Sequence, residues 1–165
     1  MIYVTNPQLR IGDITIVPSI KIRNLGVVFD SLMSMIPHVS SVDRKAHFYM
    51  RAIGKIRGHL DNDTCAASIR SLVTSRLDYR NALLYGLPED TIRRLQITQN
   101  NGARMIARTP LREHIKPILK QLHWLPIRQR ITFRILSLTY SVSHPDCTPI
   151  PRNLFIYIYL CQHEV

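Results

Sequence analysis

Pro37-His38-Val39-Ser40-Ser41-Val42-Asp43-Arg44-Lys45-Ala46-His47-Phe48-Tyr49-Met50-Arg51-Ala52-Ile53-Gly54-Lys55-Ile56-Arg57-Gly58-His59-Leu60 decides the fold class. Val39, Val42, Ala46, Tyr49, Ile53, Ile56 and Leu60 recur at alternating spacings of three and four, which is one stripe of a long helix. Arg44, Lys45, Arg51, Lys55 and Arg57 fall largely off that stripe, and Pro37 suits a first helical turn. Asp61-Asn62-Asp63-Thr64 then supplies a break and a fresh N-cap.

Downstream the helical period continues. A second helix from about Cys65 carries Ile69, Leu72, Val73, Arg76 and Leu77 until Gly86-Leu87-Pro88 interrupts it. Glu89-Asp90 is an acidic first turn for a third helix, with Ile92, Leu95, Gln99, Ala103 and Ile106 on one side. Thr109-Pro110 ends it. Lys116-Pro117 begins a short helix with Ile118, Leu119 and Leu122, and Leu125-Pro126 begins a longer one with Ile127, Ile131, Ile135, Leu138 and Val142. Pro145, Pro149 and Pro151 break the pattern.

Upstream the period is that of strands. Leu9, Ile11, Ile14 and Ile16 flank Gly12-Asp13, a two-residue loop of hairpin type. Ile20 and Ile22 alternate with Lys21 and Arg23, and Leu25-Gly26-Val27-Val28-Phe29 reads as a third extended run. So few strands cannot close a fold, so their apolar face must lie on something else. The expected class is α+β, mainly α: small N-terminal strands over residues 1–33, a helical bundle over 34–145 and an irregular tail over 146–165.

Composition narrows the function. The chain has 165 residues, with 22 Lys+Arg against 11 Asp+Glu and 45% apolar residues. That excludes a disordered basic tail and leaves one domain's worth of core. From Thr91 to Pro145 there are ten basic residues and one acidic, so this block holds +9 of the +11. A polyanion suits such a block, because neutralised phosphates release counterions. Arg93, Arg94, Arg104 and Arg108 fall near one helix face, and Arg128, Arg130 and Arg134 are assigned to another. These seven are the candidate phosphate contacts.

Catalytic chemistry finds no residues to carry it. Two-metal sites need clustered carboxylates, and the close acidic pairs, Asp61 with Asp63 and Glu89 with Asp90, sit where helix starts explain them. No glycine-rich phosphate loop and no metal-ligand spacing of His and Cys is visible, so no cofactor is expected. Cys65, Cys147 and Cys161 form no CxxC pair and read as reduced thiols of an intracellular, nuclear or cytoplasmic protein. The longest apolar run, Leu154 to Cys161, is far short of the roughly 20 residues of a membrane helix.

Four strings have a specificity that periodicity does not explain. They are Leu25-Gly26-Val27-Val28-Phe29-Asp30; Ser75-Arg76-Leu77-Asp78-Tyr79-Arg80-Asn81-Ala82-Leu83-Leu84-Tyr85-Gly86-Leu87-Pro88; Leu95-Gln96-Ile97-Thr98-Gln99-Asn100 with Ala103-Arg104; and Leu122-His123-Trp124-Leu125-Pro126-Ile127-Arg128. Together they resemble the region downstream of the catalytic palm in reverse transcriptases of non-LTR, LINE-type retrotransposons, especially the jockey and chicken-repeat clades. The resemblance runs from about Leu9 to Arg152. It implies the end of a palm, then a helical thumb and connection that grip an RNA or DNA template-primer duplex, with catalytic aspartates upstream and absent here.

On that reading the chain is a post-catalytic fragment, not itself a polymerase, whose missing palm and fingers would be partners. Its exposed strands invite self-association. The chain departs from the family pattern at Arg80, where cysteine is usual, and at Gly102, where alanine is usual and glycine costs about 1 kcal/mol of helix propensity. Asp78 and Arg76 are expected in an internal polar network, Trp124 in the core and His123 half-buried. The alternative is a helical protein-interaction module with no nucleic-acid role.

Overall fold

A computed structural model describes residues 9–143. The backbone divides into two compact units, Met1–His38 and Val39–Val165. The fold is α+β and mainly α, as the periodicities predict. Cys147, Cys161 and the tail over 146–165 lie outside the described residues.

In the first unit, β1 (Leu9–Ile11) and β2 (Ile14–Ile16) pair antiparallel, Leu9 opposite Ile16 and Ile11 opposite Ile14. Gly12 turns the chain at φ +60 while Asp13 stays at negative φ, the pattern of a II′ hairpin. The third extended run is corrected. Lys21–Asn24 (β3) and Val27–Asp30 (β4) form a second hairpin, and Leu25-Gly26 is its turn, with φ of +46 and +85. Two positive φ values in succession are the pattern of a I′ turn. Asp30 closes the hairpin, its carboxylate accepting from the backbone N–H of Ser34 (3.1 Å) and Met35 (3.0 Å). Burial opposes the charge on Asp30, but the hydrogen bonds from Ser34 and Met35 outweigh it and hold the pKa below its ordinary value. The backbone N–H of Val28 donates to His38 Nδ1 at 3.4 Å, within the unit that runs to His38.

Helix α1 (Ile36–Ile56) buries Val39, Ala46, Met50 and Ile53, with Val42 and Tyr49 half-buried. Ile56 is exposed, against the stripe, because the α-helix stops there and tightens into a 3-10 turn, Arg57–His59. Asp61 caps α2 (Asn62–Ile69), accepting from the N–H groups of Asp63 and Thr64 at 3.2 Å. The chain then passes through a π-helical stretch, Arg70–Thr74, into α3 (Ser75–Asp78). Cys65, Ile69, Val73 and Leu77 are all buried at steps of four. Four residues overshoot an α-turn by about 40° each, and a wider π-turn takes up that drift.

Helix α4 (Glu89–Ala107) is central, in contact with α2, α5 and α6. It buries Ile92, Leu95, Thr98, Gln99, Gly102, Ala103 and Ile106. Helix α5 (Ile115–Gln121) ends in a Schellman motif: Trp124 N–H bonds Leu119 O at 2.8 Å and His123 N–H bonds Lys120 O at 3.0 Å, with His123 left-handed at φ +54. His123 is therefore exposed rather than half-buried, whereas Trp124 is in the core. Helix α6 (Ile127–Ser143) buries Ile127, Ile131 and Ser137 and leaves Leu138 exposed, so its inner face rotates away from the predicted stripe toward its C-terminal half.

Gly102 has a packing reason. A Cβ there would stand 3.2 Å from Ile69 Cγ2, so the glycine lets α4 approach α2. The propensity gained by Gly102→Ala, about 1 kcal/mol, is offset by the displacement of Ile69, and the melting temperature is expected not to rise. A full gain would show that Ile69 yields freely; Gly102→Val is expected to destabilise clearly.

Asp61 yields a pH prediction. Hydrogen bonds from the Thr64 side chain and backbone hold its pKa below the ordinary value. The stabilisation is thus present above the unfolded-state pKa of about 3.9 and is lost as pH falls through the lower folded value. Melting temperatures of wild type and Asp61→Ala should differ at neutral pH and converge in strong acid.

Candidate nucleic-acid interface

The seven candidate arginines divide by what their guanidinium groups already hold. Arg130 is largely buried, its Nε donating to Leu125 O (2.8 Å) and its Nη1 to Asp78 Oδ2 (2.7 Å), with its guanidinium 5.9 Å from the Trp124 ring centre. Arg104 donates to Pro110 O (2.6 Å) and Glu113 O (2.7 Å), fixing the loop after α4. Arg108 terminates α4 in the left-handed conformation, φ +53, and donates to Arg57 O and Leu60 O. Arg128 is exposed and paired with Glu89. Arg94 donates to Ser40 Oγ at 3.3 Å. Arg93 and Arg134 are exposed and make no hydrogen bond or ion pair among the described residues.

The assignment of Arg128, Arg130 and Arg134 to one face is corrected. At about 100° per residue, positions two apart lie about 160° from each other around a helix. Arg130 and Arg134 share one side of α6 and line one cleft; Arg128 lines another, beside Tyr85 and Ile131. Arg104 and Arg108 do meet, around a groove of about 380 Å³ that Arg57 also lines.

Arg57 is the residue that sequence reasoning missed. Its Nε donates to Met105 O (2.8 Å), Nη2 to Ile106 O (2.8 Å) and Asn62 Oδ1 (2.6 Å), and Nη1 to Leu60 O (2.7 Å). The last carbonyls of a helix have no intrahelical partner. Arg104 O takes the N–H groups of Arg108 and Thr109, and Arg57 takes the next two carbonyls, so the end of α4 is satisfied at a part-buried position. A basic residue off a helical stripe is ordinarily solvated, which is why nothing in the pattern marked it.

Two strings quoted from the sequence meet in a similar way. Gln99 Nε2 donates to Leu125 O (2.8 Å), and Gln96 Oε1 accepts from Ile127 N–H (2.8 Å). Gln96 Nε2 in turn bonds Gln99 Oε1 and Asn100 Oδ1, fixing both amides. The glutamines of α4 thereby hold the Leu125-Pro126-Ile127 corner from which α6 starts. Asp78 and Arg76 do enter internal contacts: Asp78 pairs with Arg130, and Arg76 lies 4.3 Å from the Tyr49 ring centre.

The chemistry available is charge and hydrogen bonding. Among the described residues no three His, Cys, Asp or Glu side chains gather as metal ligands, and no helix is long and apolar enough to cross a membrane. Cys65 is buried, and burial pushes its thiol pKa up despite Arg57 and Arg108 nearby. The exposed cations of the α4–α6 region are Arg93, Arg94, Arg108, Arg112, Lys116, Lys120, Arg128 and Arg134, of which Arg108 is turned toward Arg57 O and Leu60 O. Three of them, Arg112, Lys116 and Lys120, were not among the sequence candidates, although the charge count of the block includes them. No family model, no curated protein and no solved structure matches the chain.

Arg57→Gln is expected to destabilise the fold by about 2–4 kcal/mol, since charge-assisted bonds to otherwise unpaired carbonyls are lost. Lys55→Gln, two residues away and exposed, should change stability by less than about 0.5 kcal/mol. Equal effects in chemical denaturation would contradict the capping role.

Proposed function

We propose that this chain is a non-catalytic part of a retrotransposon RNA-directed DNA polymerase, a thumb-like helical bundle that binds template-primer duplex through its phosphate backbone without reading sequence. The observation that carries the proposal is the +9 block between Thr91 and Pro145, which retains exposed cations on α4, α5 and α6 after internal hydrogen bonds have claimed Arg104, Arg108 and Arg130. The four strings and their order support the family reading. The working residues on this account are Arg93, Arg94, Lys116, Lys120 and Arg134, with Arg128 available when it leaves Glu89. Arg130 acts only by holding α6 in place. Nucleotide transfer belongs to the parent polymerase, which takes its metal ions elsewhere.

A second reading is favoured by one observation. Leu9, Ile11, Ile14 and Ile16 project from one face of the first hairpin and are all exposed. Cross-strand partners share a face, so these four form a continuous apolar strip on a ladder that has two strands among the described residues. This suits packing on the missing palm or on a second copy, and a chain without nucleic-acid affinity would be an interaction module using that strip.

Duplex affinity measured against salt separates the readings. Log K should fall by about 0.9 for each neutralised phosphate per tenfold rise in salt on B-form DNA, with little dependence on base sequence. Replacing Arg93, Lys116 and Lys120 by glutamine should reduce that slope by up to roughly 3 and leave the melting temperature unchanged. The matching change at Lys45, Arg51 and Lys55, outside the +9 block, should do much less. Equal losses would mean that net charge alone drives association, and no binding at low salt would leave the interaction module.

A further inference from the structure

Where α3, the 3-10 turn Asn81–Leu84 and α6 come together, the chain encloses a cleft of about 450 Å³. Two acceptors there lack a donor. Asp78 Oδ1 and Asn81 Oδ1 are buried without a hydrogen-bond partner, and the Asn81 residue is only 5% exposed. Buried polar atoms are otherwise nearly always paired. The nearby donor, Arg130, is already committed to Asp78 Oδ2 and Leu125 O. Arg134 and His123 also line the cleft and are exposed, so unpaired acceptors lie inside and basic groups at the mouth. The aromatic rings of Tyr79 and Phe133 supply flat walls.

A ligand that fits has two adjacent donors on one edge, a planar apolar body and negative charge at the other end. Among nucleic-acid units the guanine nucleotide has that distribution, because its base edge carries N1–H beside the N2 amine. Adenine and cytosine offer one exocyclic amine beside an acceptor nitrogen. The cleft is within the size range of small-ligand sites. We propose that it takes one unstacked guanine nucleotide, with Asp78 and Asn81 accepting from the base edge and Arg134 meeting the phosphate. Reading an extruded base by its edge between apolar walls is an established recognition mode. Both oxygens are covered in the free protein, so the base must displace the groups over them on binding. The inference rests on the nucleic-acid reading for the source of its ligand and adds a base-selective element to a grip otherwise indifferent to sequence.

Calorimetric titration of the full chain with 5′-GMP, IMP and AMP tests it. GMP should bind saturably; IMP, which lacks the N2 amine, should bind at least about tenfold more weakly, one hydrogen bond to a buried acceptor being lost. AMP should be weaker still. Arg134→Gln should weaken GMP about tenfold and leave the GMP-to-IMP ratio unchanged. No saturation by GMP at millimolar concentration, or equal affinity for GMP and either analogue, would overturn the proposal. The Arg93, Lys116 and Lys120 triple variant should bind GMP normally. Duplex binding without GMP binding therefore rejects the cleft alone, and GMP binding without duplex binding rejects the backbone grip alone.

Discussion

Helix ends carry backbone groups that must find hydrogen-bond partners outside the helix, and this requirement organises the second unit. Arg57 reaches the last carbonyls of α4, and Gln96 and Gln99 reach the corner that begins α6. Charge-assisted bonds of this kind are worth about 1.5–3 kcal/mol each, and an unpaired buried carbonyl costs a similar amount. The apolar stripes decide that α1, α2, α4 and α6 pack; these polar contacts decide where each helix stops. Gly102 contributes by letting α4 lie close enough to Ile69 for the arrangement to close.

The same constraint changes how a basic composition is read. Net charge treats every arginine alike, yet Arg57, Arg104, Arg108 and Arg130 hold backbone carbonyls of the protein itself. Their charge still contributes to the field around the domain, but part of each guanidinium is engaged by the protein itself. On the proposed function a polyanion would meet chiefly the exposed set on α4 to α6, smaller than the count of the block and drawn partly from lysines of α5 that helical-face arguments passed over.

Much of the fold was legible. The three-and-four spacing from Val39 to Ile53 located α1, Asp61 marked the start of α2, and Gly12-Asp13 marked the first hairpin, because each signal is local. The second hairpin was missed because Leu25 occupies a turn position that usually calls for glycine or asparagine. The π-helical stretch left only the four-residue spacing of Cys65, Ile69, Val73 and Leu77 as a trace. The interface was less legible. Arg104 is held by Pro110 O and Glu113 O of the loop that follows α4, whereas Arg93 on the same helix is not, and spacing along one helix carries no record of where that loop turns. The split between Arg128 and Arg130 was readable, since two residues along a helix nearly reverse direction.

The central claim is that the arginines form two classes, one bound to the protein's own backbone and one open to phosphate. Nitrogen–proton correlation spectra of the arginine Nε–H groups, recorded while duplex is titrated in, test it directly. The account predicts that the signals of Arg57 and Arg130 exchange slowly with solvent and stay in place, while those of Arg93 and Arg134 exchange fast in the free protein and shift with added duplex. Movement of Arg57 and Arg130 with Arg93 and Arg134 unmoved would contradict it.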